Sequence, residues 1–574
     1  MKPMTRRDWL STSKSVLAGG ALLAGCTPTE QDGPKASEPG SPALELECKW
    51  IEKTVNGTRA RLRAFNGMIP GPMLKAKPGD HLRVRVKNSL TPYDSTGWNG
   101  NHNVPHHLDT TNLHLHGFDI APHLFEPAGT LDPLAKMIHI PPGHSFDYDF
   151  ELPRDHPPGL YWYHPHHHGS TAVQAVSGMA GGAIVYGDID EVPEIKAARD
   201  LPLVIQDLGL FPSDTKVGVW TYEPKQNAIW DTFGGVVKVL DKNTDLKGGF
   251  TTGDYALRYF LLNGEPFYEE KHNPGNPTFP LGTQLKPQRV RMAPGEVVRF
   301  RMLNACSDNL MPIVVEGHEM HLIALDGVNF PAPRTIAPVL VGSENDPRLN
   351  CAGGPTPPPA CTGGNGQVLL APANRAEFLI KAVSKPGIYR IVQLAQSQQF
   401  LHSSQKVIAE IEVGGATKDM ALPKTLPAPS RYYPLLTPGQ VTNTRTFVFS
   451  GAFPAVANTV VGIDFLLNNS QYQEQAVPQV VSLNAVEDWQ LQVFGSHHGG
   501  TEGHPFHIHV NHFEVISIDS KTQPAGTIQD TIWVPMKSKV VVRMKFKQFK
   551  GKAVYHCHIL PHEDTGMMQN FLIL

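Results

Sequence analysis

The fold is indicated by residues 158–164 (PGLYWYH), a strand-like stretch that recurs twice along the chain. Residues 386–392 (PGIYRIV) repeat it in the middle of the chain, and residues 551–556 (GKAVYH) repeat it near the end. Each copy begins at a turn residue and is rich in the β-branched and aromatic residues that favour strands. The outer copies end in His164 and His556, whereas the middle copy ends in Val392. Three copies of one unit are therefore predicted, and the middle copy lacks this histidine.

A second repeat supports the same division. Residues 78–86 (PGDHLRVRV) match residues 294–302 (PGEVVRFRM), and residues 489–493 (WQLQV) form a weaker third copy. Alternation of apolar and polar residues after a turn is the signature of a strand. Because strands and turns recur without a convincing long amphipathic helix, we predict an all-β chain of three sandwiches. We place these domains at residues 44–190, 195–415 and 425–574.

Composition limits the function classes. The chain has 574 residues, with 50 Lys and Arg against 53 Asp and Glu, so its net charge is −3. That balance provides no basic surface for nucleic acid, and no nucleic-acid partner is expected. The 27 histidines are unevenly placed: 13 lie in residues 102–168, nine in residues 497–562, and only four between these segments. This distribution predicts a metal site shared by the two terminal domains.

The N-terminus has the features of an export signal. Residues 1–26 combine basic residues with an apolar stretch too short to span a bilayer. Residues 5–10 (TRRDWL) resemble a twin-arginine signal, and residues 23–26 (LAGC) resemble a lipobox with Cys26 as the lipidated residue. An ordinary signal peptide with a chance cysteine is the alternative. Residues 27–43 then form a flexible linker, and the mature protein is expected in the periplasm or cell envelope, attached to the membrane only through Cys26.

Four histidine motifs suggest a metal site. They are residues 114–117 (HLHG), 164–169 (HPHHHG), 504–509 (HPFHIH) and 556–568 (HCHILPHEDTGMM). Because side chains alternate across a strand, a His-x-His pair places two imidazoles on one face. Four such pairs, two from each end of the chain, could surround a compact cluster of metal ions.

The fourth motif predicts a second site on the opposite face of its strand. Cys557 lies between His556 and His558 and must point away from them. Cys557 with two histidines and a weak axial methionine is the ligand set of a blue-copper centre. Zinc would also accept imidazole and thiolate, but zinc has no redox chemistry and its structural sites are closed.

In their order along the chain and in the spacing of their Cys, His and Met residues, the four motifs resemble those of the multicopper oxidases. Laccase-like bacterial members of that family are the most similar. The resemblance covers essentially the whole mature chain and implies three cupredoxin-like Greek-key domains, the middle one without copper ligands. It implies about four coppers per chain. The type 1 copper is assigned to Cys557, His504 and His562, with Met567 axial. The type 2 copper is assigned to His114 and His507. The type 3 pair is assigned to six residues: His116, His164, His166, His509, His556 and His558.

The resemblance also implies an activity. Donors such as phenols, aromatic amines or metal ions would be oxidised in four one-electron steps. The four electrons would reduce one dioxygen to two waters. Electrons would enter at His562, which lies near the surface in the family, and pass through Cys557. Glu563 would deliver protons, unless it is an ordinary surface carboxylate. The family's other acid is not clearly aligned, and Glu126 or Asp119 are the candidates.

Several neighbouring residues leave alternatives. Met568 is the alternative axial ligand to Met567. His167 is expected to face solvent, and His168 is expected near the ligands. A set of four further histidines could form a secondary metal site or could be exposed loop residues: His106, His107, His497 and His498.

The remaining cysteines allow disulfides. With Cys26 and Cys557 set aside, four cysteines remain, and an exported protein can keep disulfides. Three pairings are open, and we favour Cys351–Cys361, which flank a Gly/Pro-rich loop, with Cys48–Cys306 as the other pair.

Other functions remain open at this stage. A cuprous or manganous oxidase active in metal homeostasis is the nearest alternative, although the 15 methionines are scattered and form no segment suited to Cu(I). A copper-binding or cupredoxin-like structural envelope protein without oxidase activity is the alternative of another class. A monomer is expected.

Overall fold

The computed structural model describes twelve segments of the chain: residues 44–92, 101–103, 105–213, 215–222, 255–273, 280–338, 366–397, 402–452, 455–456, 459–460, 464–493 and 503–574. The predicted signal at 1–26 and the linker at 27–43 lie outside these segments. So do Cys351, Cys361, His497 and His498. Among the described segments there is no helix with the length and apolar character needed to cross a membrane.

The described residues of the first β-sandwich form eight strands and one short helix. The strands are β1 Leu44–Val55, β2 Thr58–Phe65, β3 Gly71–Ala76, β4 His81–Asn88, β5 His114–His116, β6 Ser145–Glu151, β7 Gly159–His164 and β8 Gly181–Val185, and helix α1 is Thr171–Val176. One sheet has the order β2-β1-β4-β6 and the other β3-β8-β7-β5. Their apolar faces share a core that includes Leu46 and Val84 from one sheet and Leu74 and Tyr163 from the other.

The second sandwich follows a 3₁₀ turn, Asp188–Glu191, and helix α2, Pro193–Ala197. Its strands are β9 Arg199–Pro212, β10 Trp220–Thr221, β11 Leu257–Leu262, β12 Glu265–Lys271, β13 Leu281–Gln284, β14 Gln288–Met292, β15 Val297–Asn304, β16 Met311–Val315, β17 Met320–Leu325, β18 Val328–Ile336, β19 Val368–Leu370, β20 Arg375–Lys381, β21 Gly387–Gln393, β22 Gln396–Ser397, β23 His402–Ser403 and β24 Lys406–Val413. Strand β10 pairs with β2, so the larger sheet continues into the first sandwich.

The third sandwich follows a 3₁₀ turn, Pro438–Gln440. Its elements are β25 Asn443–Ala452, β26 Ala455–Val456, β27 Thr459–Val460, β28 Asp464–Leu467, β29 Gln479–Val481, β30 Val486–Val493, β31 His504–Ile508, β32 Phe513–Ile518, β33 Lys521–Thr522, β34 Ile528–Gln529, β35 Thr531–Val534, β36 Lys539–Lys545, β37 Gly551–Cys557, α3 Leu560–Asp564 and β38 Met568–Ile573. Its two main sheets enclose an apolar core that contains Trp489, Phe506 and Tyr555.

The predicted repeats occupy equivalent strands. The stretches at 158–164, 386–392 and 551–556 form β7, β21 and β37, and each of these strands lies inside the smaller sheet of its sandwich. The stretches at 78–86, 294–302 and 489–493 contribute to β4, β15 and β30. The prediction of an all-β chain of three sandwiches is confirmed, whereas the domain boundaries stay a prediction.

The predicted disulfide between Cys48 and Cys306 is wrong. Both are free, buried thiols. Cys48 lies in the core of the first sandwich and Cys306 in the core of the second. Each thiol therefore packs as a small apolar side chain in its own core.

A buried ion pair joins the three sandwiches. Arg375 begins β20 in the second sandwich, and its guanidinium donates to Asp530 of the third sandwich at 2.9 and 2.6 Å. The same side chain donates to the carbonyl of Leu160 in the first sandwich at 3.2 Å. Arg375 is 0% exposed and Asp530 is 1% exposed. Although burial alone would raise the pKa of Asp530, the charge of Arg375 holds that pKa well below its usual range.

Arg375→Met should therefore destabilise the protein strongly. It removes the guanidinium and leaves the Asp530 carboxylate buried without its cation, which costs about 3–5 kcal/mol. Arg390→Met is the matched control, because the Arg390–Glu316 pair is partly exposed and such pairs contribute at most about 1 kcal/mol. Urea unfolding of both variants checks this. Equal losses in the two variants would contradict the importance of the buried pair.

Candidate metal centre

Two strand pairs carry the four histidine motifs. In the first sandwich β5 pairs with β7, so that His114 lies opposite His164. In the third sandwich β31 pairs with β37, so that His507 lies opposite His556. The two strand pairs face each other across the boundary between the first and third sandwiches, as the uneven histidine distribution predicted.

All eight histidines of the four His-x-His pairs come together in one buried cluster. Across the boundary, the rings of His114 and His509 stack with centroids 4.0 Å apart, and those of His116 and His507 with centroids 3.9 Å apart. The rings of His166 and His556 lie 4.9 Å apart, and those of His164 and His558 lie 5.4 Å apart. Each is at most 4% exposed. No residue of the second sandwich contributes an imidazole to this cluster within the described segments.

Backbone carbonyls fix the tautomers of three of these rings. The Nδ1 atoms of His164, His507 and His556 lie 2.7, 2.8 and 2.9 Å from the carbonyl oxygens of Pro165, Asp530 and Cys557. A carbonyl can only accept, so Nδ1 carries the hydrogen in each ring. Each Nε2 therefore has a lone pair available for a metal ion.

His123 fixes the tautomer of His114 in the same way. Its Nε2 atom accepts from the backbone N–H of Leu115 at 3.2 Å and lies 3.1 Å from Nδ1 of His114. Because Nε2 of His123 is an acceptor, His114 must donate its Nδ1–H to it. His123 belongs to none of the His-x-His pairs, and only its place in the fold identifies this positioning role.

The cluster fits a metal ion. Six of its histidines carry buried ring nitrogens that have no hydrogen-bond partner among the described residues: His114 Nε2, His116 Nδ1, His164 Nε2, His166 Nδ1, His507 Nε2 and both nitrogens of His558. Buried polar atoms are rarely left unpaired. Three trios place their ligand atoms within 4.8 Å of one another: His114, His116 and His164; His114, His507 and His509; and His166, His509 and His556. Converging lone pairs of this kind suit copper.

Burial keeps seven of these imidazoles neutral. Burial lowers the pKa of His164 to about 3. It also lowers the pKa values of His114, His116, His166, His509, His556 and His558 well below 6.5, with neighbouring imidazoles adding to most of these shifts. Neutral imidazole is the form that binds metal ions.

Two buried carboxylates flank the cluster. Asp530 Oδ1 lies 3.2 Å from Nε2 of His116, and the hydroxyl of Thr531 links the same carboxylate to His507. On the other side Glu563 lies 3.3 Å from Nδ1 of His166 and 3.2 Å from Nδ1 of His556. Glu563 is 0% exposed, so the alternative of an ordinary surface carboxylate is wrong. Burial raises its pKa well above the usual range, and the charge of Asp564 adds to this effect.

Neither acid that the sequence suggested near the first motif contacts the cluster. Glu126 is exposed. Asp119 is buried and binds Arg431 and His512, and His512 in turn lies 3.4 Å from Asp530. The carboxylate that lies next to the imidazole of His116 belongs to Asp530. Asp530 is more than four hundred residues from the first motif. Sequence spacing could not identify it, because this contact exists only between two sandwiches.

The thiolate group forms on the other face of β37. Cys557 Sγ lies 3.5 Å from Nδ1 of His504 and 3.9 Å from Nδ1 of His562. Met567 lies in the same apolar core as Cys557, whereas Met568 lies in a separate cluster with Phe125 and Tyr472. The arrangement therefore favours Met567 over Met568 as the axial ligand.

His562, the predicted entry point for electrons, has little contact with solvent. It is 3% exposed, and its ring stacks on Phe465 with centroids 3.9 Å apart. Phe465 is itself only 2% exposed, so both rings of this stack are buried.

Of the remaining histidines, His167 differs from expectation in its burial. His167 was expected to face solvent but is only partly exposed, and Ser170 Oγ lies 3.3 Å from its Nδ1. His168 is 6% exposed and packs on Tyr472. Of the four further histidines, His107 is exposed and His106 is buried.

The copper-free protein should lose stability as the pH falls from about 6.5 to about 3. His114, His116, His164, His166, His509, His556 and His558 have pKa values near 6.5 in the unfolded chain, and burial gives them far lower values in the folded one. The unfolded chain therefore binds more protons in this window, and protonation favours unfolding. Urea unfolding at pH 7.5 and pH 5 measures the drop. His114→Gln/His164→Gln should show a smaller drop than the unsubstituted protein, and an equal drop in both would contradict this source of the pH dependence.

Comparison with known proteins agrees with this geometry. A curated multicopper oxidase of Staphylococcus epidermidis is 22% identical over 88% of this chain and 82% of its own length. A laccase of Bacillus stratosphericus is 24% identical over 89% of this chain and 90% of its own length. A solved multicopper oxidase of Campylobacter jejuni, described as a metallo-oxidase, superposes with a TM-score of 0.64 at 21% identity, covering 97% of this chain and 96% of the other. That likeness shows the cupredoxin-like fold.

Three family models described as multicopper oxidase match residues 47–189, 240–342 and 438–574. Each matched range falls largely within one of the three sandwiches. Since the matches together span more than half of the chain, the chain belongs to the multicopper oxidase family, whose members are copper-dependent oxidoreductases.

Proposed function

We propose that this protein is a laccase-like oxidase that removes single electrons from small donors and reduces dioxygen to water. The observation that carries the proposal is the covalent connection between the two ligand groups. Cys557 belongs to the thiolate group, and the adjacent His556 and His558 belong to the imidazole cluster. Such a connection is useful for moving electrons and has no purpose in a structural protein.

Copper at the two ligand groups supplies one-electron acceptance from the donor and four-electron reduction of dioxygen. The type 1 copper would be held by His504, Cys557 and His562 together with Met567, and the cluster coppers by the eight imidazoles. Among the cluster residues, the trio His166, His509 and His556 already converges on one point and would hold one ion of the type 3 pair. His114 and His507 would hold the type 2 copper.

The residues around the cluster supply order and protons. His123 and the three carbonyl acceptors hold four rings in the tautomer that binds metal. Apolar and aromatic packing, including the stack of Trp162 on His164, limits access of water. Glu563 touches two cluster imidazoles from a fully buried position and is placed to give protons to reduced oxygen.

A metal-ion oxidase is the second candidate, because the similar Campylobacter jejuni structure is described as a metallo-oxidase. Oxygen uptake with a phenol, Cu(I) and Mn(II) in parallel distinguishes the two. Fastest turnover with the phenol supports the laccase-like function, and fastest turnover with either ion supports the metal-ion oxidase. Uptake with none of the three by the copper-loaded protein would overturn both.

Cys557→Ser should abolish donor oxidation while leaving cluster copper in place. The thiolate is both a ligand and the electron route, whereas the eight imidazoles are unchanged. The blue absorption of the copper–thiolate bond should disappear, and copper should fall by about one of four ions per chain. Metal analysis, visible spectra and oxygen uptake check this, and full activity would refute the electron route.

His114→Ala is the converse variant. It removes an imidazole from the cluster and leaves the thiolate group intact, so the blue band should stay while dioxygen reduction fails. Loss of the blue band in this variant would mean that the two sites are not separable.

Glu563→Gln should slow turnover with copper content and colour nearly unchanged. Glutamine has the same shape but no acid proton, and a positioned acid contributes about 10²–10⁴-fold to a proton-transfer step. Steady-state oxygen uptake across pH measures the effect. Glu474→Gln, in the same sandwich but away from the cluster imidazoles, is the control and should turn over normally. Equal rates in both variants would remove Glu563 from proton delivery.

A further inference from the structure

A cleft between the second and third sandwiches contains a cavity with a volume of about 220 Å³. Strands β17, β18 and β19 of the second sandwich contribute to one wall, and strands β32 and β35 of the third contribute to the other. None of the lining residues belongs to the imidazole cluster or to the thiolate group. Cavities for drug-sized ligands measure about 300–1,000 Å³, so this smaller one suits a molecule with a single ring.

Much of the cavity wall is apolar. The indole of Trp533 is 6% exposed and packs with Leu310 and Ala371 of the second sandwich. Burying an apolar ring against such a wall is favourable, and an indole offers an aromatic face for a second ring. The apolar lining includes Leu322, Ile336, Leu369, Val515, Ile532 and Trp533.

One buried amide in the wall has no partner. The side chain of Gln367 lines the cavity and is 3% exposed, and its Nε2 atom has no hydrogen-bond partner among the described residues. Buried polar atoms are rarely left unpaired, because an unpaired donor has lost its water without gaining an acceptor. An oxygen atom of a molecule in the cavity would supply that acceptor.

A guanidinium without a counter-ion lies in the same wall. Arg334 donates to Oγ1 of Thr527 at 2.8 Å and to the carbonyl of Ala525 at 2.7 Å. These neutral acceptors use two of its five N–H groups, and no carboxylate of the described residues lies within 4.0 Å of it. Burial lowers the pKa of Arg334, and the charge of Glu514 offsets that effect only in part. A bound anion would therefore stabilise this cation.

We propose that this cleft binds a small aromatic carboxylate. The carboxylate pairs with the guanidinium of Arg334, whose planar fork matches it. The ring lies between the apolar walls beside Trp533, and an oxygen substituent on the ring accepts from the amide of Gln367. An inorganic anion would leave the apolar walls uncovered, and a neutral ring would leave Arg334 without a counter-charge, so the cavity selects a molecule that has both parts.

The test is a calorimetric titration of the copper-loaded protein with 4-methoxybenzoate. This probe carries a carboxylate and a ring oxygen, and it has no phenolic O–H group to be oxidised. The unsubstituted protein should bind one molecule per chain with a Kd of about 1 mM or tighter. The uncharged probe 4-methoxybenzamide has nearly the same shape and should bind at least about tenfold more weakly, because it forms no charge-assisted bond to Arg334.

Two variants locate the site. Arg334→Met should weaken binding of 4-methoxybenzoate at least about tenfold. Gln367→Leu should weaken it about threefold to tenfold, while its free energy of unfolding should not fall, because the replaced amide has no partner to lose. Arg390→Met is the matched control, since Arg390 lies in the same sandwich and is already paired with Glu316. It should bind the probe normally.

Each outcome decides the proposal. Weaker binding in both cleft variants, with normal binding by the control, supports the site. The proposal is overturned by an absence of saturable binding in the unsubstituted protein, by equal affinity for the amide probe, or by equal affinity in Gln367→Leu and the control. A loss of stability in Gln367→Leu without a loss of affinity also overturns it, because the amide would then be structural. Oxygen uptake with a phenol should be unchanged in Gln367→Leu, so these results do not depend on the proposed oxidase activity.

Discussion

The ion pair between Arg375 and Asp530 is the constraint on which the arrangement of the centre depends. It brings a cation from the second sandwich to a carboxylate of the third, and that carboxylate contacts His116 of the first. Gly117 shows how tightly the groups are packed, because a Cβ there would lie 2.2 Å from the guanidinium and 2.4 Å from the carboxylate. The second sandwich thus positions the cluster, although none of its described residues contributes an imidazole.

Two properties of a β-strand place the imidazole cluster and the thiolate group next to each other. Side chains alternate across a strand, so β37 presents His556 to the cluster and Cys557 to the thiolate group. Strand pairing then sets His507 opposite His556 without any long loop. The same backbone that separates the two groups also connects them, which suits the transfer of electrons over a fixed distance.

Burial gives the imidazoles their chemical state. Rings that are nearly inaccessible to solvent and crowded by other rings resist protonation, as the low pKa of His164 illustrates. Their remaining freedom is the choice of tautomer, and the carbonyl of Pro165 and the ring of His123 remove it for His164 and His114. Once their geometry and protonation are fixed, lone pairs converge where a metal ion can receive them.

The sequence by itself determined the strands, the three repeats and the histidine motifs, because strand periodicity and residue spacing are local properties. Tertiary structure decided what depends on contacts between distant segments. It assigned the carboxylate next to His116 to Asp530 rather than Glu126 or Asp119, buried Glu563 and His562, and separated Cys48 from Cys306. Such contacts join residues hundreds of positions apart, and only the packing of the three sandwiches brings them within reach.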